Sequence, residues 1–159
     1  MIFHFSIDAD DPPRVAAAIA KLWRGQVLPF PPVAQGSVIV MAGDHRNSAI
    51  EVYPRGTEMS PADGDADAAS RMSGAPSQYS ATHAAIATPL DRVEVLALAA
   101  AEGWIAKYRK RGGLFGVIEF WLENRLMIEV LTPDMQAEYL ATLTPKGWSE
   151  ALAAGPPTA

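Results

Sequence analysis

The chain has 159 residues, 49% of them apolar and 19% charged, which is enough for a folded core and excludes wholesale disorder. Its 13 basic and 18 acidic side chains leave a formal charge of −5, which argues against nucleic acid as a partner because phosphate contacts need a basic surface. With no cysteine, disulfide frameworks, thiolate zinc sites, iron–sulfur clusters and thiol nucleophiles are all excluded.

The first predicted element is a strand, Ile2–Ile7, with no basic leader ahead of it. Asp11-Pro12-Pro13 then opens a helix. Asp is a good N-cap, and proline fits the first turn, where its missing N–H would have had no intrahelical partner. The alanine-rich body, Val15–Leu22, suits close packing on a sheet, and Gly25 is expected to end it in the left-handed conformation. A short strand, Gln26–Phe30, precedes a hairpin of Ser37–Ala42 and Ala49–Tyr53 that turns at Asp44-His45-Arg46-Asn47. Pro54–Tyr79 is rich in Gly, Pro, Ser, Ala and Asp, lacks apolar periodicity, and is expected as a linker or flexible loop. Asp63, Asp65 and Asp67 alternate within it but lack the closing glutamate of a calcium loop.

The same series then restarts. Thr82–Ala87 is a strand, and Thr88-Pro89-Leu90-Asp91 opens a helix, with Thr88 and Asp91 approximating a capping box. Its body, Val93–Ala101, is expected to end at Gly103; it is also far too short to cross a bilayer, which predicts a soluble, cytoplasmic protein without membrane partners. A strand over Trp104–Arg109 leads into a hairpin of Phe115–Trp121 and Leu126–Leu131, turning near Glu123-Asn124. Turn length decides whether Glu129 pairs with Ile118 or with Glu119, and so which face Glu119, Trp121 and Met127 occupy. The basic run Lys107-Tyr108-Arg109-Lys110-Arg111 reads first as a charged edge strand that discourages aggregation, and second as an anchor for an anionic substrate tail. A last helix starts at Thr132-Pro133-Asp134, and the tail Gly155-Pro156-Pro157 is expected to fray. The expected organisation is a β-α-β-β-β module over 1–54, a linker over 55–79, a second such module over 80–132, and a helix with tail over 133–159.

An offset of 78 or 79 residues relates the halves. It carries His4 onto His83, Arg14-Val15 onto Arg92-Val93, Gly25 onto Gly103, and Ile50-Glu51-Val52 onto Ile128-Glu129-Val130, with Ile39-Val40 falling on Val117-Ile118. Strand alternation sets His4 and Ser6 opposite the apolar Phe3, Phe5 and Ile7, and Glu51 and Tyr53 opposite Ile50 and Val52. The second half repeats this with His83 and Glu129. Each module thus offers one histidine and one glutamate on the face away from its helix. Imidazole plus carboxylate suits Zn, Ni, Co, Fe or Mn rather than Ca or Mg. A single His–Glu pair on a strand is usually a surface feature or a local hydrogen bond. Two of only three histidines at repeat-equivalent positions, each with an equivalent glutamate, favour metal binding by His4, Glu51, His83 and Glu129. His45, in a turn with Asp44, Arg46 and Asn47, reads as solvent-exposed.

Tandem β-α-β-β-β modules with histidine on the first strand and glutamate on the fourth resemble the vicinal oxygen chelate superfamily, which includes glyoxalase I, extradiol dioxygenases, and fosfomycin and bleomycin resistance proteins. The resemblance spans Ile2–Leu131, and the order His4, Glu51, His83, Glu129 is most similar to the ligand set of glyoxalase I. It implies an α+β fold whose two modules curve into an open, barrel-like sheet with helices outside, and a homodimer. It also implies a metal-dependent lyase or isomerase acting next to a carbonyl on a small oxygenated substrate, with either Glu51 or Glu129 doubling as the catalytic base. Two departures argue against glutathione thioester chemistry. The arginine that glyoxalases carry on the first strand is absent from Phe5-Ser6-Ile7, and Leu22-Trp23-Arg24-Gly25 replaces the usual end of the first helix. The alternative the family offers is a metal-free small-molecule-binding protein of the bleomycin-resistance type; an iron dioxygenase ranks below both, because the fourth ligand counts against it.

Overall fold

The computed structural model describes residues 2–30, 34–63 and 67–153, so the expected fraying at Gly155-Pro156-Pro157, and Asp65 of the aspartate series, lie outside the described residues. The chain forms two compact units, Met1–Ser80 and Ala81–Ala159. The class is α+β, and neither four-stranded sheet closes into a barrel among the described residues.

The first unit begins with β1 (His4–Ala9) and α1 (Pro12–Trp23), followed by β2 (Gln26–Pro29), β3 (Val38–Met41) and β4 (Ala49–Pro54). Sheet order is β1-β4-β3-β2, with β1 parallel to β4 and the other pairs antiparallel. The core lies between α1 and this sheet, where Val15, Ile19 and Leu22 meet Val40, Ile50 and Val52, all of them buried. Asp11 caps α1 by accepting from the Arg14 N–H at 3.1 Å. The helix does not end as the glycine pattern predicts. Arg24, at φ 53°, is the left-handed residue. Gly25 is required for a different reason: a Cβ there would lie 2.3 Å from the Met41 carbonyl oxygen, so the glycine lets α1 turn back against β3.

The segment expected as a linker or flexible loop carries a two-stranded hairpin, β5 (Thr57–Ser60) and β6 (Ala69–Met72). Its residues are mostly exposed, which is why it leaves no apolar period in the sequence. Cross-strand polar pairing stands in for a core: Arg71 contacts Glu58, directly opposite it, at 2.8 Å.

The second unit repeats the plan with β7 (Ala84–Ala87), α2 (Arg92–Glu102), β8 (Ala106–Arg111), β9 (Phe115–Leu122) and β10 (Leu126–Leu131), in the order β7-β10-β9-β8. Its core is Val95 and Ala99 of α2 with Ile118, Phe120, Ile128 and Val130 of the sheet, and Trp104 packs edge-on to Phe120. The capping box at α2 is not Thr88 with Asp91. It is Asp91 with Glu94, each side chain bonded to the other's backbone N–H, while Thr88 accepts from Leu90 in the turn before. After the sheet, α3 (Pro133–Thr142) and α4 (Pro145–Ala153) extend the unit; Met135 is buried and Tyr139 packs edge-on to Phe115. No helix is long and apolar enough to cross a membrane among the described residues.

The repeat slips at the third strand of each unit. Ile39 pairs with Glu51, whereas Glu119 pairs with Glu129, so Ile39 and Val40 correspond to Glu119 and Phe120 rather than to Val117 and Ile118. Seven residues separate the paired Met41 and Ala49, against five between the equivalent Trp121 and Met127, and this difference shifts the strand ahead of the turn by two residues.

Candidate functional site

In the first unit, parallel pairing sets Ser6 beside Glu51 and His4 beside Ala49. Alternation then puts His4, Ser6, Glu51 and Tyr53 on the face away from α1, as the sequence predicts. Glu51, with 12% of its side chain exposed, accepts on Oε2 from the Ser6 hydroxyl at 2.7 Å and from the Tyr53 hydroxyl at 2.5 Å. Burial, and then the bond to Glu51, push the Tyr53 phenol above its ordinary value, so it stays a donor. Oε1 faces His4, whose Nε2 is 3.8 Å away. One carboxylate oxygen is therefore anchored by neutral donors while the other shares its front with an imidazole nitrogen. That is the donor chemistry of a transition-metal half-site, with hydroxyls orienting the ligand carboxylate.

The second unit keeps the register but not the partners. His83 lies just before β7 rather than within a first strand; Ala85 pairs with Glu129, so His83 comes two residues before the partner of Glu129, as His4 comes two residues before Ser6, the partner of Glu51. It is exposed, and its Nδ1 lies 2.9 Å from the Ala81 carbonyl oxygen. A carbonyl oxygen only accepts, so Nδ1 is the donor in that contact. Glu129 is held by Arg111, whose Nη2 and Nε reach Oε1 at 2.6 and 3.1 Å. The antiparallel register settles the β9–β10 ambiguity by placing Glu119 directly opposite Glu129. Arg111 Nη2 also lies 3.0 Å from Glu119 Oε1, and Arg109 Nε lies 3.6 Å from Glu119 Oε2. Two like charges directly opposite would destabilise the pair, and the guanidinium between them offsets this. Its own proton is held more tightly for the same reason, first through the bond to Glu129.

Both glutamates thus have one oxygen tied by protein donors, Oε2 of Glu51 by hydroxyls and Oε1 of Glu129 by Arg111. In each the other oxygen is not spent on that anchor, which is what a divalent cation would need from a carboxylate ligand. No three His, Asp or Glu side chains are gathered into a metal cage among the described residues.

The sequence did not assign three participants. Ser6 and Tyr53 share the face of Glu51 by alternation alone, and their role appears only from the register between β1 and β4. Arg111 belongs to the run that reads as an edge strand, and β8 is one; yet Arg109 and Arg111 alternate with Tyr108 and Lys110, and that alternation points them at the carboxylates. Lys110 instead contacts Glu138 of α3 at 2.7 Å. His45 is exposed in its turn, where Asp44 accepts from the Arg46 and Ser48 N–H groups.

Glu129 and Arg111 also line an open cleft of about 600 Å³ in the second unit. Leu114 and Phe115 line it, and so do Pro145 and Trp148 of α4. A volume of this size accommodates a small molecule.

No protein-family model matches the sequence, and no curated protein does. Solved structures do match in fold. The fosfomycin resistance protein FosX from Listeria monocytogenes, complexed with Mn(II) and sulfate ion, superposes with a TM-score of 0.57 at 11% identity, covering 89% of this chain and 96% of that one. FosX from Mesorhizobium loti gives 0.52 at 12% identity over 86% and 95% of the two chains. Lactoylglutathione lyase from Agrobacterium tumefaciens gives 0.52 at 14% over 82% and 91%.

Proposed function

This chain has the vicinal oxygen chelate fold, and from that premise we propose a metal-dependent lyase or isomerase that acts next to a carbonyl on a small oxygenated substrate. The observation that carries the proposal is the repeated constellation: in each unit a histidine comes two residues before the strand residue that pairs with an anchored glutamate. On this reading His4 and Glu51 in the first unit, and His83 and Glu129 in the second, would serve as ligands of a divalent transition metal, drawn from Zn, Ni, Co, Fe and Mn. When bound, the metal supplies Lewis-acid polarisation of the substrate oxygens. The rest is the work of side chains. Ser6 and Tyr53 fix the Glu51 carboxylate, Arg111 fixes Glu129, and one of the two glutamates takes the proton adjacent to the carbonyl. The protein is a cytoplasmic homodimer on the same reading, which light scattering giving a monomer at micromolar concentration would remove.

Elemental analysis of protein purified without a histidine tag tests the metal. One equivalent of transition metal is expected, falling at least about tenfold in affinity in His4→Ala and His83→Ala, since imidazole is the strong neutral donor. Glu51→Gln or Glu129→Gln that retains metal but loses most turnover identifies the base. Unchanged metal content in all four single variants overturns the four-ligand centre. The apolar cleft beside Glu129 favours one second reading, a metal-free binder of small molecules, and protein that takes up no metal on soaking would select it.

A further inference from the structure

β2 ends one four-stranded sheet and β8 ends the other, and among the described residues no strand pairs with the outer side of either. The two edges are built differently. In the first unit the Phe30 N–H donates to the Ser37 carbonyl at 3.0 Å, so alternation turns the backbone groups of Val27 and Pro29 outward. Proline has no N–H to offer, which blunts that edge against an added strand. β8 contains no proline. The Trp121 N–H donates to the Ile105 carbonyl at 2.8 Å, so Lys107, Arg109 and Arg111 bond β9 in turn, and Ala106, Tyr108 and Lys110 face outward. The Tyr108 carbonyl accepts from Arg109 Nη1 at 3.2 Å, and the N–H groups of these three residues stay in line along the edge. Residues 107–110 are all exposed.

Side chains give this edge a sign. Arg111 is held by Glu119 and Glu129, and Lys110 by Glu138. Lys107 is exposed, and Arg109 is 48% exposed with Glu119 at 3.6 Å. Both share the face of Glu119, away from α2. On the α2 face the Tyr108 ring keeps exposed surface, with the Arg92 guanidinium 5.1 Å from its centroid. A second copy of β8 laid along this edge would set cations against cations. Those same cations favour a strand of opposite charge.

We propose that β8 is a docking edge for an extended acidic segment of a protein partner. The segment adds as a fifth strand, with carboxylates beside Lys107 and Arg109 and apolar side chains beside Tyr108.

The test titrates the full chain into a fluorescein-labelled decapeptide that alternates glutamate with valine, read by anisotropy at low salt. Saturable binding is expected, at least about tenfold weaker when lysine replaces every glutamate, and weaker again as salt is raised. Two further peptides carry N-methyl groups on their odd or their even residues. An added strand bonds the sheet through one of its own edges, so only one of the two should lose binding. Lys107→Glu should weaken binding at least about fivefold, whereas Lys146→Glu, on α4 and 86% exposed, should leave it within about twofold. No binding of the glutamate peptide, equal loss in both methylated peptides, or equal effects of the two lysine variants would each overturn the assignment. So would a single-stranded oligonucleotide that displaces the labelled peptide better than the unlabelled peptide does. Dissociation of a dimer by the peptide, read by light scattering, would give the edge to a second copy and overturn it likewise.

Discussion

Arg111 is the residue on which the second unit's polar face depends. Glu119 and Glu129 stand directly opposite on adjacent strands, with side chains 17% and 12% exposed, and the guanidinium between them is shared. Arg111→Met keeps the aliphatic stem but leaves two facing carboxylates without their cation. Because Arg111 is itself 38% exposed, screening reduces the loss to about 1 kcal/mol, equivalent to a fall of about 2–4 °C in melting temperature in the presence of chelator. A divalent cation should then compensate, so Mn(II) should raise the melting temperature of Arg111→Met by more than that of the parent. Scanning calorimetry with and without the metal checks both signs, and an unchanged melting temperature in chelator would show that the guanidinium is not what relieves the carboxylate pair.

At the scale of single elements, helix ends and strand pairings carry the argument. Gly25→Ala should cost about 2 kcal/mol or more, because the new Cβ would run into a backbone carbonyl, Met41 O, which cannot rotate away like a side chain. Arg24→Gly should instead stabilise by about 0.5–1 kcal/mol by relieving a left-handed non-glycine residue. Urea denaturation of the two variants separates the roles of these neighbours, and the opposite ordering would mean that Gly25 is the capping residue after all. The amino-acid sequence made the helix starts legible, since Asp11 and Asp91 are local signals, and it made the strand faces legible through the alternation around Ile50 and Ile128. It did not show that Arg24 rather than Gly25 turns left-handed, because the need for glycine at 25 arises from a carbonyl on a different strand. Nor did it show the partner of Glu129. That depends on the conformation of residues 123–125, where Glu123 and Asn124 both adopt positive φ. The β5–β6 hairpin was illegible for a third reason: both its strands are largely solvent-exposed, so no apolar alternation marks them.

Over the whole molecule, several carboxylates are stabilised in their charged form, in both units. The Ser73 hydroxyl, then Arg71, lowers Glu58; the Ser48 backbone N–H, first among several donors, lowers Asp44. The Thr132 hydroxyl lowers Asp134, and Lys110, then the Gly116 N–H, lowers Glu138. A carboxyl whose folded pKa lies below its unfolded value contributes stability that is present above the unfolded value, about 4, and is lost as pH falls through the folded one. Both units should therefore weaken on acidification below about pH 4.5, and Glu138→Gln should flatten the slope of melting temperature against pH between about 5 and 3. A parallel shift of the whole curve, with its slope unchanged, would remove Glu138 as a contributor. The parallel pairing of β1 with β4, and of β7 with β10, has a consequence for the order of synthesis. A ribosome delivers β1 first and the strand it pairs with last, so His4 waits through the whole of α1, β2 and β3 before Glu51 exists beside it. The same delay separates His83 from Glu129. In each unit the candidate ligands meet only when the last strand of its four-stranded sheet has been delivered, which leaves a nascent chain with histidines but no assembled pair to capture a metal early.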